Sequence, residues 1–214
     1  MRARDNPFAT ERVLQLRYQF PGDQAAAWHT LMNRLDSLHY RAALVGWHGS
    51  GKTTLLEDLG VRLREQGFRT HAVILNAQDR RYPAPIAQLG ESLGDRDIIL
   101  FDGCEQLGLV NWWRFHWQTR KARGLIVTMH RAGRLPVLWR CSTNADLLRE
   151  LVGRLAETTS IVDTELIQQL YASHSGNLRE ALRELYDMAA LSGPLEFSTP
   201  ANVDPSDRIV AGSH

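Results

Sequence analysis

Only two cysteines, Cys104 and Cys141, occur among the 214 residues. That is too few for a disulfide framework, and neither sits in a zinc-ligand spacing. Long apolar runs are missing too, so no segment supplies the roughly 20 apolar residues of a membrane-spanning helix. Met1-Arg2-Ala3-Arg4-Asp5 is followed by no apolar h-region. Net charge is equally scarce. A formal value of +1 gives no global reason to bind nucleic acid or a lipid surface, so any polyanion contact must come from a local patch. No internal repeat or low-complexity block is visible. With 43% hydrophobic and 23% charged residues, the expectation is a cytoplasmic globular protein with reduced thiols. Its length suits one domain, or one plus a small appendage.

What is present begins with Gly46-Trp47-His48-Gly49-Ser50-Gly51-Lys52-Thr53, followed by Thr54. It satisfies the G-x-x-x-x-G-K-[ST] pattern at every specified position. The apolar run Ala42–Val45 precedes it as a short buried strand, and Thr54–Leu59 opens a helix. Glycines allow a tight turn in which successive N–H groups converge on phosphate oxygens at the positive end of a helix dipole. Lys52 would neutralise phosphate charge, and the Thr53 hydroxyl would ligate Mg²⁺. The motif predicts binding of a nucleoside triphosphate.

The rest of the chain alternates. Residues 1–22 form a Pro/Gly-punctuated lead-in. Asp23 caps a helix running to about Ser37, and Leu55, Leu56, Leu59 and Leu63 keep helical spacing up to a terminating Gly67. Thr70–Leu75 is a second strand. A loop at Tyr82–Pro85 and a short helix over Ile86–Leu93 follow. Ile98–Phe101 is a strand ending in Asp102, and residues 105–122 read as one helix whose Trp113 and Trp117 pack onto the sheet. Gly124–His130 is another strand, Val137–Cys141 a further candidate, and Asn144 caps an amphipathic helix. Residues 163–190 hold two helical patterns joined by Ser175-Gly176-Asn177. Residues 192–214 have no period and read as a disordered or loosely docked tail. The expected organisation is a core over 23–158, a helical lid over 159–191 and the tail. The fold class is α/β: a three-layer parallel sheet with helices on both faces and a small helical appendage.

Asp102, at the end of its strand, suits a metal-holding carboxylate beside Thr53. Glu105 is a candidate to orient the attacking water, or else only complements the dipole of the next helix. Ligands of open parallel sheets sit at the carboxyl ends of strands, which places Thr128 and His130 near a terminal phosphate or its water. Arg131 and Arg134 are either solvated loop residues or a finger for a neighbouring subunit. Arg179 opens the last helix against the macrodipole trend, either contacting phosphates from the lid or pairing with Glu180 or Glu184. Arg114, Arg120 and Lys121, interleaved with tryptophans, form the one patch with nucleic-acid character.

With these residues in hand, the chain resembles the P-loop NTPases with an added strand between the P-loop strand and the Walker B strand. Within them it looks most like AAA+-type ATPases, over about residues 6–190. Gly46–Thr54 would be Walker A, and Asp102 with Glu105 Walker B. Thr128 and His130 would occupy the sensor-1 position, and Gly176-Asn177-Leu178-Arg179 the sensor-2 motif. Asn6-Pro7-Phe8 is similar to the initiator-like segment that packs near adenine. The resemblance implies ATP and Mg²⁺ as ligands, with a protein partner, self-association or DNA as partners. No Asn-Lys-x-Asp motif for guanine is present. Three departures stand out. The two carboxylates are split by Gly103 and Cys104, which implies slow hydrolysis. The link before Val137 is about six residues where a parallel crossover needs about a dozen; this leaves residues 137–141 antiparallel, at an edge, or no strand. The lid is short. A slow ATPase is the first reading; a non-catalytic ATP switch and a DNA-associated loader or transposition helper are the alternatives.

Overall fold

Five apolar runs build one sheet: β1 (Arg41–Val45), β2 (Arg69–Ile74), β3 (Asp97–Asp102), β4 (Gly124–Met129) and β5 (Val137–Arg140). The computed structural model describes residues 6–75, 92–156 and 163–192. The loop at 82–85, most of the helix expected over 86–93, and the tail from 193 lie outside the described residues. The order across the sheet is β2-β3-β4-β1-β5, and every neighbouring pair is parallel. β4 thus lies between the P-loop strand and the strand of Asp102, as the resemblance implied.

Alternation along the strands divides the core. After the short α1 (Thr10–Val13) come α2 (Gln24–Ser37) and α3 (Lys52–Glu65), whose Leu31, Leu35, Leu55, Leu59 and Leu63 are buried against Leu44, Ile98, Leu100 and Ile126 of the sheet. Ala43, Ile99, Phe101, Leu125 and Val127 point the other way, onto Trp112 and Phe115. The Asp23 carboxylate accepts from the Ala25 and Ala26 N–H groups at 2.8 and 3.3 Å, a cap that contributes about 1 kcal/mol. Gly67, at φ +89°, ends α3.

One of the open alternatives holds and one expectation is corrected. β5 takes the edge position and runs parallel despite its short link. It starts level with Ala43, which also pairs with Val127 of β4. The chain therefore drops back only two residues, about 7 Å, while crossing about 10 Å over β1. Residues 130–136 span that without a helix. Next, the single helix over 105–122 is broken into a 3-10 turn at Cys104–Gln106, α4 (Leu109–Gln118) and a second 3-10 turn at Thr119–Lys121. Because α4 starts at Leu109, Trp112, Phe115 and Thr119 take the sheet-facing stripe. Trp113 and Trp117, about 100° round from that stripe, point outward rather than into the core.

A third cluster joins α5 (Ala145–Leu155), α6 (Thr164–Ser173) and α7 (Leu178–Ser192) through Leu148, Val152, Ile167, Leu182 and Leu185. Phe8 belongs to it, and Asn6 donates from Nδ2 to the Tyr186 carbonyl at 2.9 Å. The Asn-Pro-Phe segment is therefore packed into the helical appendage. Further on, the Tyr18 N–H and Arg17 donate to the Asp58 carboxylate at 2.8 and 3.0 Å, strapping the lead-in across α3.

Candidate nucleotide site

The loop from Gly46 to Gly51 joins the end of β1 to the start of α3, where Lys52 is the first helical residue. Gly49 and Gly51 adopt left-handed φ values of +70° and +83°, which a side chain would strain. Gly46 is excluded from substitution by space, since a Cβ there would lie 2.5 Å from the Cys141 carbonyl. Lys52 Nζ donates to the Trp47 carbonyl at 2.6 Å, folding the lysine back over its own loop. Burial lowers the Lys52 pKa, against the opposing charges of Glu105 and Asp102. Trp47 itself turns its ring to solvent.

Across the loop, Thr53 Oγ1 donates to Asp102 Oδ2 at 2.8 Å, and Thr128 Oγ1 donates to Asp102 Oδ1 at 2.5 Å. Thr128 is buried and also accepts from the Gly103 N–H at 2.9 Å, so it orients the aspartate rather than facing open space. Gly103, at φ +78°, turns the chain into the 3-10 turn of Glu105. This inserted turn resolves the split carboxylate pair: Glu105, Asp102 and Lys52 line one cavity of about 270 Å³, together with His48, His130 and Arg179. Glu105 Oε1 lies 3.3 Å from His130 Nε2, and the His130 and His48 rings are 3.9 Å apart between centroids. Burial holds the His130 pKa below the usual imidazole range; Glu105 opposes that, and His48 and Lys52 reinforce it.

The helical appendage closes the far side. Asn177 caps α7 by accepting from the Glu180 N–H at 3.4 Å, and a Cβ on Gly49 would collide with the Asn177 side chain. Arg179 lines the 270 Å³ cavity and a second one of about 160 Å³, which is walled by Leu14, Tyr18, Leu147 and Leu182. Glu184, one of its expected partners, instead meets His174 Nε2 at 2.5 Å, and no described residue pairs with Arg179. Arg134 is committed elsewhere: its guanidinium donates to the carbonyls of Cys104 and Leu107 and lies over Trp112.

The sheet order, the loop and the helical appendage together match solved structures. RuvB of Thermotoga maritima, a Holliday junction branch migration motor, superposes with a TM-score of 0.56 at 18% identity, covering 83% of this chain and 66% of that one. A RuvB variant gives 0.57 at 16% identity, with the same coverages of 83% and 66%. Drosophila ORC bound to DNA gives 0.55 at 15% identity, covering 86% of this chain and 61% of that one. This is an AAA+-like P-loop NTPase fold. The chain spans just under two-thirds of the length of those structures. No protein-family model matches the sequence, and no curated protein does.

The residues present fit a triphosphate with Mg²⁺. The cavity sets Lys52, Arg179 and the N-terminus of α3, groups that suit phosphate oxygens, beside the carboxylates of Asp102 and Glu105. The Ser50 hydroxyl is buried in the loop without a hydrogen-bond partner, a polar atom awaiting one. Thr53 and Asp102 offer the oxygens that a hard cation takes. Among the described residues no cage of three or more His, Cys, Asp or Glu forms, and Mg²⁺ beside phosphate needs none. Sequence reasoning missed the His48–His130 contact, the Asn177–Gly49 contact and the 160 Å³ apolar cavity. All three join segments distant in the chain, and no local motif encodes them.

Proposed function

We propose that this chain binds ATP with Mg²⁺ and hydrolyses it slowly, coupling nucleotide state to the position of its helical lid. The observation that carries this reading is Arg179. It projects from the lid, without a described partner, into the cavity lined by Lys52, Thr53 and Asp102. Lys52 and Arg179 would hold phosphate oxygens, Thr53 and Asp102 the metal, and Thr128 would keep the Asp102 carboxylate aimed. The 160 Å³ apolar cavity suits the base. Glu105 would accept the proton of the attacking water, with Lys52 and Mg²⁺ balancing charge on the phosphoryl group.

Lys52→Ala should abolish binding of a fluorescent ATP analogue. Glu105→Gln should keep that binding and lower turnover by roughly 100-fold, the usual scale for a positioned general base. Unchanged turnover in Glu105→Gln would move catalysis to another group.

The non-catalytic switch keeps support from the His130 contact, which engages one Glu105 oxygen while Oε2 stays buried and unpaired. Absence of phosphate release in a single-turnover assay would favour the switch. RuvB is described as a branch migration motor and the ORC structure as bound to DNA, so DNA belongs among the candidate effectors. Turnover measured with and without DNA, and size by light scattering in each nucleotide state, test DNA, a protein partner and self-association. Two buried free thiols suit a reducing, cytoplasmic setting.

A further inference from the structure

The outer face of α4 carries a surface that the nucleotide site does not use. Leu109, Val110, Trp113 and Trp117 are exposed by 71, 83, 66 and 64%. Arg114 in α4, and Arg120 and Lys121 in the turn that ends it, are exposed as well. Trp113 and Trp117 lie one turn apart, about 6 Å along the axis. The Arg120 guanidinium already stacks on the Trp117 ring, 4.0 Å from its centroid. From Gln106 to Ala145 the sequence contains no Asp or Glu, against seven Arg and Lys. A chain of formal charge +1 thus concentrates +7 in this stretch and leaves −6 for the remainder.

From this face we infer a docking site for single-stranded nucleic acid. Of those seven, Arg114, Arg120 and Lys121 belong to α4 and the turn that ends it, whereas Arg134 is turned inward and Arg123 lies over Tyr40. Three exposed cations with no acid among them complement a polyanion, and the two solvent-facing indoles supply stacking faces for bases of any identity. The choice between macromolecules follows from shape and charge. The aliphatic pair is confined to the first turn of α4, whereas rings and cations occupy the rest. Base faces are hidden in a duplex, so stacking selects unpaired strands. The inference uses no step of nucleotide chemistry, so its failure would leave the ATP reading untouched.

The test uses the full chain and a fluorescent oligothymidylate of about 20 nucleotides, longer than one such site covers. Controls are the same length of duplex and poly-glutamate, which has the charge without the rings. The expected result is binding of the single strand at about 50 mM salt that is lost by about 200 mM, with quenching of indole fluorescence. Trp113→Ala with Trp117→Ala should weaken binding by roughly tenfold or more per ring, and the double Phe variant should retain it. Arg120→Glu with Lys121→Glu should lower affinity and flatten the salt slope by roughly 1.4. Each variant is checked by circular dichroism, and the Phe pair separates lost stacking from lost folding. The inference is overturned if the strand does not bind at low salt, or if the Ala pair binds as tightly as the parent. Equal affinity for poly-glutamate, indifferent to the tryptophans, also overturns it and makes an acidic protein segment the occupant.

Discussion

At the scale of single residues, the site turns on how Glu105 is held. Its contact at 3.3 Å with His130 ties the candidate base to a titratable ring. Burial keeps that ring neutral near pH 7, with a pKa below the usual range. As pH falls through the His130 value, a positive imidazolium draws the carboxylate toward itself and away from the water. ATP turnover should therefore decline on the acid side, and His130→Asn should remove that limb from a profile of kcat against pH. An identical profile in the variant would detach His130 from catalysis. As candidates, Lys52 and Thr53 were legible from the fixed spacing of the loop motif, and Asp102 from its place at the end of an apolar strand. Thr128 was legible as a strand-end residue near a terminal phosphate or its water. Its hydrogen bonds, accepting from Gly103 N–H and donating to Asp102, depend on a neighbouring strand and are invisible in a linear reading.

At the scale of elements, the two ends of β3 do different work. Its first residue, Asp97, is buried and ties β2 to β3, accepting from Arg69 Nε at 3.0 Å, from Arg69 Nη2 at 2.7 Å and from the Gly94 N–H at 2.7 Å. His71 Nε2 also lies 2.8 Å from it. Burial pushes its pKa up, but the bonds to His71, Arg69 and Gly94 outweigh that and bring it to about 2. Since the folded value is the lower one, its contribution is complete above the unfolded value of about 4. The contribution, about 2 kcal/mol, is lost as pH falls from there toward 2. Arg69 is mostly exposed and screened, so His71 and Gly94 carry the larger share. Asp97→Asn should lower the urea midpoint at pH 7 and flatten stability between pH 4 and 2, as followed by circular dichroism. At the other end, Gly103→Ala would set a Cβ against the Leu75 carbonyl in a left-handed conformation, costing about 1–2 kcal/mol before the clash is counted. Because Gly103 starts the turn of Glu105, turnover should fall further than ATP affinity; equal losses would point to unfolding alone. Strands and helix caps were readable from periodicity and capping chemistry. The place of β5 beside β1 was not, since strand neighbours are chosen by nonlocal packing. Nor was the outward turn of Trp113 and Trp117, because both faces of α4 are apolar enough to pass for the core side.

At the scale of the whole molecule, the sheet core and the helical appendage meet where Asn177 presses on Gly49 and Arg179 overlooks the cavity. Thr143 Oγ1 donates to the Gly176 carbonyl at 2.8 Å, and the Tyr171 hydroxyl donates to the Thr143 carbonyl at 2.7 Å, so the turn before α7 is pinned to the strand-to-helix connection after β5. ATP should slow amide exchange in α6 and α7. Arg179→Ala should remove that protection and weaken ATP binding by about tenfold, the scale of one charge-assisted contact. Persistent protection in the variant would assign the coupling to Asn177. The short hop from β4 to β5 has one more consequence. With no helix between them, the seven residues after Met129 carry His130 at one end and Arg134 near the other. Arg134 grips the Cys104 and Leu107 carbonyls and covers the inner ring of α4, Trp112. One short connection thus meets both regions: His130 at one end contacts Glu105, and Arg134 near the other covers the inner ring of the helix whose outer side displays two tryptophans.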